Sequence, residues 1–209
     1  MSLAEELAQG VAQSGLTLPS PTQARLLDYL ALLQKWNKVY NLTGVRDAPR
    51  MVTHHLLDAL ALAPHVSAAT ILDVGSGAGV PGIPLALALP AAQVTLLDSS
   101  EKKAAFLRQA AIELGIANAE VVCERAESWR PARRFELVIS RAFSELPRYV
   151  ASAGHLVAAG GELAAMKGRF PEAELKQIPR TFRVKRVVAL AVPGLRAERH
   201  LVVLEPARD

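Results

Sequence analysis

One glycine-rich segment constrains the fold of this chain more than any other feature of its sequence. The short apolar stretch Ile71-Leu72-Asp73-Val74 leads directly into Gly75-Ser76-Gly77-Ala78-Gly79-Val80-Pro81-Gly82. Glycines at this spacing let the backbone turn tightly and approach a ligand closely. The apolar run that follows predicts a helix, whose first N–H groups have no partner within the helix. A buried strand, a glycine turn and a helix in this order indicate a nucleotide-binding α/β domain.

The glycine segment allows two registers. Gly77, Gly79 and Gly82 satisfy the dinucleotide pattern G-x-G-x-x-G, but this register starts two residues after Gly75, which is late for the end of the strand. The register Asp73-x-Gly75-x-Gly77-x-Gly79 resembles motif I of class I S-adenosylmethionine methyltransferases instead. Asp98 ends the next predicted strand, where a carboxylate can meet the ribose of a bound nucleoside.

This register predicts S-adenosylmethionine as the cofactor. Three alternatives stay open at this point: a glycine turn without a ligand, an NAD-dependent oxidoreductase, and a non-catalytic nucleotide-binding protein.

Strands and helices alternate along most of the chain, which favours a parallel sheet covered on both faces. Strands are predicted at 71–74, 93–98, 120–124, 135–140 and 162–166, a final antiparallel pair at 182–190 and 199–204, and helices at 81–89, 100–114 and 146–156. Before them, helical spacing of leucines predicts helices near 3–11, 22–36 and 49–64.

We therefore predict an α/β fold of the class I methyltransferase (Rossmann-like) type. It has a seven-stranded, mostly parallel sheet with an antiparallel C-terminal strand pair. An N-terminal helical extension of residues 1–66 packs on a core of residues 67–209.

The sequence lacks the patterns of an internal disulfide, a metal site or a membrane span. Its single cysteine, Cys123, excludes an internal disulfide and a cysteine-rich zinc site, and no clustered ligands predict a metal ion. No apolar run reaches the roughly 18 residues of a membrane helix, and the first residues lack the pattern of a secretion signal. We expect a cytoplasmic monomer with no membrane partner.

Positive charge is concentrated in the last part of the chain. Residues 125–209 carry sixteen basic and nine acidic side chains, whereas residues 67–124 carry three basic and six acidic ones. A basic region of this kind suggests a polyanionic partner such as nucleic acid. A solvated surface without such a partner is the alternative.

The segment after the fourth predicted strand limits the choice of methyl acceptor. Methylation of an exocyclic amine of adenine or cytosine typically uses an Asn/Asp-Pro-Pro-aromatic loop, but this chain has Ser140-Arg141-Ala142-Phe143. Methylation of cytosine carbon-5 needs a nucleophilic cysteine, whereas Cys123 lies in an apolar strand. Guanine N7 has an exposed lone pair and needs only alignment and exclusion of water. The sequence is therefore compatible with N7 methylation.

The whole sequence resembles the RsmG (GidB, glucose-inhibited division protein B) family of small-subunit ribosomal RNA guanine-N7 methyltransferases. The matching segments are Trp36-Asn37-Lys38, Asn41-Leu42-Thr43, His55-Leu56-Leu57-Asp58, residues 73–84, Leu97-Asp98-Ser99, Lys102-Lys103, Phe106-Leu107, residues 139–143, Lys167-Gly168 and residues 198–201. Ala59, where relatives often carry Ser, and His54, where many carry Arg, depart from the pattern.

The resemblance implies transfer of a methyl group from S-adenosylmethionine to N7 of one guanine of 16S ribosomal RNA, near the decoding site. The partner is then 16S ribosomal RNA or the small ribosomal subunit. Another RNA, a protein or a small molecule remains the alternative acceptor.

Strand-end positions and the resemblance together give the candidate site residues. For cofactor binding they are Asp73, Gly75, Ser76, Gly77, Gly79, Pro81, Asp98, Ser99, Ala126, Glu127 and Arg141; for substrate binding Asn41, Thr43, His55, Asp58 and Arg199; for positioning the substrate in the reaction Arg141 and Lys167. Asn41 and Thr43 equally suit a helix end and a turn. His55 and Asp58, three residues apart, equally suit a structural bond that ties the helical extension to the sheet.

Overall fold

A single sheet organises the described part of the chain. The computed structural model describes residues 1–141, 143 and 145–207. The strands are β1 (Thr70–Val74), β2 (Gln93–Leu97), β3 (Ala119–Val122), β4 (Phe135–Ser140), β5 (Val157–Lys167), β6 (Phe182–Ala189) and β7 (His200–Pro206). They form a seven-stranded sheet in the order β3-β2-β1-β4-β5-β7-β6. β1 to β5 pair in parallel and β7 runs antiparallel to both of its neighbours, as predicted.

Helices precede the sheet and connect its strands. They are α1 (Leu3–Gln13), α2 (Ser20–Tyr40), α3 (Ala48–Met51), α4 (Asp58–Leu60), α5 (Gly82–Ala88), α6 (Glu101–Glu113), α7 (Leu146–Ala153) and α8 (Glu172–Leu175), with short 3-10 turns at Ala63–His65 and Gly154–Leu156. Within the described residues, every helix is too short or too polar to cross a membrane.

Alternating side chains of the strands build one hydrophobic cluster on each face of the sheet. Ile71 and Ile139 pack on the face that also buries Leu33 of α2 and Leu56. Leu72 and Val138 point to the other face and pack with α7. The N-terminal helices thus share a core with the sheet, and the division of the chain at residue 66 stays a prediction.

The strand order reverses between β1 and β4. In open α/β sheets, the crevice at such a switch point, outside the carboxyl ends of the strands, is where ligands bind. Because β7 is antiparallel, its first residue, His200, pairs with Lys167 at the end of β5 and lies at this same edge.

The prediction of one continuous α-helix at 49–64 is wrong for the middle of this segment. Residues Val52–Leu57 form a π-helix between α3 and α4, in which the N–H of Asp58 bonds to the carbonyl of Thr53, five residues back. A π turn of this kind inserts a residue into a helix and is common near functional sites. It is stabilised by contacts far away in sequence, since the His54 carbonyl accepts a hydrogen bond from Arg141 at 2.9 Å.

Two other boundaries differ from the prediction by four residues or more. α2 continues to Tyr40, four residues beyond the predicted end, and closes with Asn41 in the left-handed conformation. β5 begins at Val157 and not at 162, because an irregularity in its pairing with β4 lets Val157 pair with Phe135.

Candidate active site

The glycine turn is tied to the sheet by a buried carboxylate. Asp73 lies in β1 and its side chain is fully buried, with Oδ2 accepting a hydrogen bond from the N–H of Gly82 at 2.9 Å. A Cβ atom at Gly82 would collide with the side chains of Asp73 and Leu96. Glycine at position 82 therefore permits the close approach of α5 to the strands.

The second oxygen of Asp73 is buried without a hydrogen-bond partner among the described residues. Burial raises the pKa of this carboxyl to about 7, although the bond from Gly82 acts in the opposite direction. An unpaired buried acceptor costs free energy, and a positive charge on a ligand at the turn would offset that cost through space, without direct contact.

Asp98 fixes the other side of the turn. It follows β2, is 5% exposed, and its two oxygens accept hydrogen bonds from the N–H groups of Gly77 and Ser100, each at 2.9 Å. Lys103 Nζ lies 3.7 Å from Asp98 Oδ2. Gly77 has a φ of +59°, and a Cβ there would meet nothing closer than the Gly75 carbonyl at 3.7 Å. The turn thus presents bare backbone to an open space beside a buried carboxylate.

Two adjoining cavities open at this edge of the sheet. The first, of about 260 Å³, is lined by Val74, Gly75, Leu97, Asp98, Ser99, Lys103, Glu124, Arg125, Ala126, Glu127 and Phe143. The second, of about 250 Å³, is lined by Leu42, Thr43, Gly75, Ser76, Gly77, Ala78, Val80, Lys103 and Arg141. They share Gly75 and Lys103, so that they form two parts of one cleft. We refer to them as the nucleoside cavity and the acceptor cavity, after the roles that the sequence analysis predicts for their residues.

Most residues predicted to bind the cofactor line this cleft. Those in the nucleoside cavity are Gly75, Asp98, Ser99, Ala126 and Glu127; those in the acceptor cavity are Gly75, Ser76, Gly77 and Arg141. Asp73, Gly79 and Pro81 are buried behind the turn and line neither cavity. These three residues shape the turn from behind.

The predicted site residues did not include six that line the nucleoside cavity: Val74, Leu97, Lys103, Glu124, Arg125 and Phe143. Lys103 and Phe143 bring a charge and an aromatic ring to it. Lys103 lies in the first turn of α6, three residues after Ser100, and its ammonium group forms an ion pair with Asp98. Phe143 stacks on Tyr149 with ring centroids 4.7 Å apart. Both lie in segments that follow strand ends, and this position was the available signal. Ala142, part of the quoted motif, lies outside the described residues.

Arg141, Asp58 and Arg199 form a partly buried ion network at the side of the acceptor cavity. The Asp58 side chain is 1% exposed; its Oδ2 lies 3.3 Å from Arg141 NH1 and its Oδ1 accepts a bond from Arg199 Nε at 2.8 Å. One carboxylate thus holds two guanidinium groups, one following β4 and the other preceding β7. The network joins the N-terminal helices to the edge of the sheet at the end of β4 and the start of β7.

His55 and Thr43 extend this network. His55 is 2% exposed, and burial together with the nearby Arg141 charge lowers its pKa to about 4. Nδ1 lies 3.1 Å from the His54 carbonyl, which can only accept, so that Nδ1 carries the proton. Nε2 then accepts from the Thr43 hydroxyl at 3.0 Å. A neutral imidazole therefore orients Thr43 at the wall of the acceptor cavity.

Lys167 and Asn41 lie apart from the network. Lys167 is 8% exposed, pairs with Glu174 at 2.7 Å, and lies 3.4 Å from the Phe143 carbonyl, under the segment that follows β4. Asn41 lines a separate cavity of about 510 Å³ beside α2. The structure thus brings Thr43, His55, Asp58, Arg141 and Arg199 together, and the substrate roles predicted for all of these residues stay predictions.

Comparison with known proteins identifies the family of this chain. The family model described as GidB, rRNA small subunit methyltransferase G, matches residues 22–202. The chain belongs to this family. The ribosomal RNA small subunit methyltransferase G of Aromatoleum aromaticum is 56% identical over 97% of this chain and 98% of its own length. The protein of the same name from Laribacter hongkongensis is 53% identical, over 98% and 99%. The family resemblance of the sequence is thus confirmed.

Solved structures confirm the predicted methyltransferase fold. The glycopeptide N-methyltransferase MtfA, crystallised with S-adenosylmethionine, has a TM-score of 0.63 at 14% identity, over 74% of this chain and 88% of MtfA. TrmN from Thermus thermophilus has a TM-score of 0.54 at 22% identity, over 71% and 47%. At these identities the likeness concerns the fold alone.

Proposed function

We propose that this chain transfers the methyl group of S-adenosylmethionine to N7 of one guanine of small-subunit ribosomal RNA, in the cytoplasm. The observation that carries the proposal is a bare glycine turn between two buried carboxylates, Asp73 and Asp98, in a chain of the rRNA small subunit methyltransferase G family. The unpaired oxygen of Asp73 and the open space at Gly77 both fit a cationic nucleoside cofactor. When bound, that cofactor supplies an electrophilic methyl group on a sulfonium sulfur.

The residues that would hold the cofactor divide between its parts. Gly75, Ser76 and Gly77 offer backbone at the turn, with Gly79 and Pro81 shaping it from behind. Asp98 and Ser99 lie where a ribose diol can be bound, and Ala126 and Glu127 line the far end of the nucleoside cavity, on the side proposed for adenine. Asp73 provides negative charge beneath the turn, and Lys103 lies between the two cavities.

The acceptor cavity suits a reaction in which no proton is removed. The side chains that line it, among the described residues, include neither a carboxylate nor an imidazole. An exocyclic amine must lose a proton when it is methylated, whereas guanine N7 presents a free lone pair. The chain then has to hold the ring in line and exclude water, which is a positioning task.

Arg141 is the residue that we assign to holding the guanine or its phosphate. The N7-methylated ring is cationic, so a bare arginine beside it would be unfavourable. In this structure Asp58 offsets much of that charge, because Arg141, Arg199 and Asp58 together carry a single net positive charge. Asn41, Thr43, His55, Asp58, Arg199 and Lys167 complete the proposed acceptor side; Asp58 and His55 act there by orienting Arg141 and Thr43.

The test is a comparison of ribosomal RNA from cells with and without this gene. Nucleoside mass spectrometry should show the loss of one N7-methylguanosine from 16S ribosomal RNA, restored when the gene is returned. The purified protein should methylate RNA from the deletion cells. In the same assay, Arg141→Ala and Lys167→Ala should reduce methylation strongly while calorimetry shows unchanged binding of S-adenosylmethionine.

Three results would contradict these assignments. Unaltered 16S ribosomal RNA in the deletion cells would reject the substrate. Tight binding of NAD without binding of S-adenosylmethionine would reject the cofactor. Full turnover in both variants would reject the roles of Arg141 and Lys167.

A further inference from the structure

A short loop extends the proposed acceptor side beyond the ion network. Gly168, Arg169 and Phe170 follow β5 at the carboxyl edge of the sheet and are exposed. A Cβ atom at Gly168 would lie 3.9 Å from Arg199 NH1, so the loop borders the side chain that binds Asp58. The same Asp58 binds Arg141 in the acceptor cavity. The loop is therefore continuous with the site, on the side away from the nucleoside cavity.

Phe170 is exposed although its ring contacts His200. Its side chain is 51% exposed and it belongs to neither hydrophobic cluster. Its ring packs nearly perpendicular to His200, at an interplanar angle of 80° and a centroid distance of 5.7 Å. His200 is itself held in place, since Nδ1 lies 2.9 Å from the Gly168 carbonyl. The imidazole thus supports the phenyl ring without covering it.

The charges around Phe170 are favourable for a polyanion. Arg169 is exposed next to it, and Arg199 approaches the same loop. The two acids that follow in the chain are paired with lysines at 2.7 Å, Glu172 with Lys176 and Glu174 with Lys167. An open aromatic face beside arginines is the chemistry that binds unpaired nucleotides, because bases stack on the ring and phosphates meet the cations.

We propose that Phe170, supported by His200, stacks a base of the substrate RNA adjacent to the target guanine, with Arg169 on a neighbouring phosphate. This inference rests on the proposed function and adds to it the nucleotide-binding platform outside the cleft. The platform binds an unstacked nucleotide, so the target guanine enters the acceptor cavity from a locally opened strand.

The test compares variants that separate ring stacking from apolar packing. With 16S ribosomal RNA from deletion cells as substrate, Phe170→Ala and Phe170→Leu should each raise the KM for RNA about tenfold, the usual effect of losing one base–aromatic stack. The kcat and the Kd for S-adenosylmethionine should stay within about twofold, since stacking lies outside the cleft. Phe170→Tyr and Phe170→Trp should retain the wild-type KM. Ile112→Ala, which removes another exposed apolar side chain on α6, is the matched control.

A direct readout is photochemical. Ultraviolet irradiation of the protein with the same RNA should attach a nucleotide to the tryptic peptide of residues 170–176, and Phe170→Leu should abolish that product. Two results would overturn the platform while leaving the proposed function intact: a wild-type KM for Phe170→Ala, or full rescue by Phe170→Leu. Failure of the wild-type protein to methylate any RNA would instead reject the proposed function, and the platform with it.

Discussion

The two sides of the cleft are built in different ways. By the nucleoside side we mean the glycine turn with Asp73 and Asp98, and by the acceptor side the ion network around Asp58. On the nucleoside side the decisive contacts are local: the N–H of Gly82 bonds to Asp73, nine residues away, and the N–H of Gly77 to Asp98, 21 residues away. On the acceptor side they are distant, since Arg141 and Asp58 are 83 residues apart and Arg199 and Asp58 141 residues apart.

The two sides also differ in the atoms that form their contacts. The nucleoside side uses backbone N–H groups and glycine conformations, which a strand, a turn and a helix supply together. The acceptor side uses ionised side chains from three separate parts of the chain, held around one buried carboxylate. We therefore expect a substitution on the nucleoside side to weaken cofactor binding without affecting RNA binding, and a substitution on the acceptor side to impair methylation without affecting cofactor binding.

The largest effect is expected for Asp58→Ala. Its removal leaves two arginines without their shared counter-ion. Breaking a fully buried ion pair typically costs about 3–5 kcal/mol of stability, and we expect the lower end of that range because both arginines are partly exposed. Arg141 would lose its position, and methylation should fall roughly 100-fold. Denaturant unfolding and methylation assays measure both effects, and calorimetry should show S-adenosylmethionine binding within about twofold of wild type.

Asp28→Ala is the control for this variant, because it removes an exposed acid from α2 in the same helical region. If folded Asp58→Ala protein kept full methylation, the dependence of Arg141 on Asp58 would be wrong.

The opposite pattern is expected for Asp98→Ala. The variant frees the N–H groups of Gly77 and Ser100 and removes the carboxylate proposed for the ribose. The Kd for S-adenosylmethionine should rise about 10- to 100-fold, as for loss of a charged hydrogen bond. RNA binding measured without the cofactor should not change. The control is Glu101→Ala, which removes a highly exposed acid three residues further on. If Asp98→Ala weakened RNA binding as much as binding of S-adenosylmethionine, the proposed difference between the two sides would be wrong.

Asp73→Asn should change how stability depends on pH. The folded pKa of about 7 lies above the ordinary value, so that this group stabilises the cofactor-free protein below about pH 4 and loses that contribution as the pH rises through 7. The amide removes this dependence. At pH 8 the thermal midpoint of the variant should exceed that of wild type by several degrees, while its affinity for S-adenosylmethionine is reduced.

His55 acts with the opposite sign in an overlapping pH range. Its pKa of about 4 lies below the ordinary value, and its contribution to stability is lost as the pH falls from about 6.5. Because His55 is present in both proteins, the difference between their midpoint curves isolates Asp73. Two curves separated by a constant difference at every pH would show that the pKa of Asp73 is the same in the folded and unfolded states.

The smallest effect is expected on the outer strand of the sheet. Arg183 and Lys185 of β6 pair with acids, Arg183 with Glu205 at 2.6 Å and Lys185 with Glu162 at 2.9 Å, in partly exposed positions. Exposed pairs contribute little to stability, so Arg183→Ala should lower the thermal midpoint by less than about 3 °C. Its KM for RNA should stay within about twofold of wild type. A large rise in KM would extend the RNA-binding surface to β6.

The predicted site residues divide in the same way, between those fixed by local contacts and those fixed by distant ones. Asp73, Gly77 and Asp98 could be placed from the sequence, because a motif that is continuous along the chain fixes its own backbone geometry. The neutral state of His55 and the pairing of Lys167 with Glu174 could not be, because both depend on burial and on partners brought close by the fold. The same holds for the π-helix at Val52–Leu57, whose His54 carbonyl is bonded by Arg141.

The sequence by itself determined the alternating α/β architecture, the glycine turn and the carboxylate that follows β2. These features arise from hydrophobic periodicity and local backbone preferences, which act over a few residues. Tertiary structure alone decided that one buried carboxylate joins two arginines, and that Phe170 lies exposed beside His200 at the same edge. Ion pairs and ring contacts require only proximity in space, and sequence separation carries no record of that proximity.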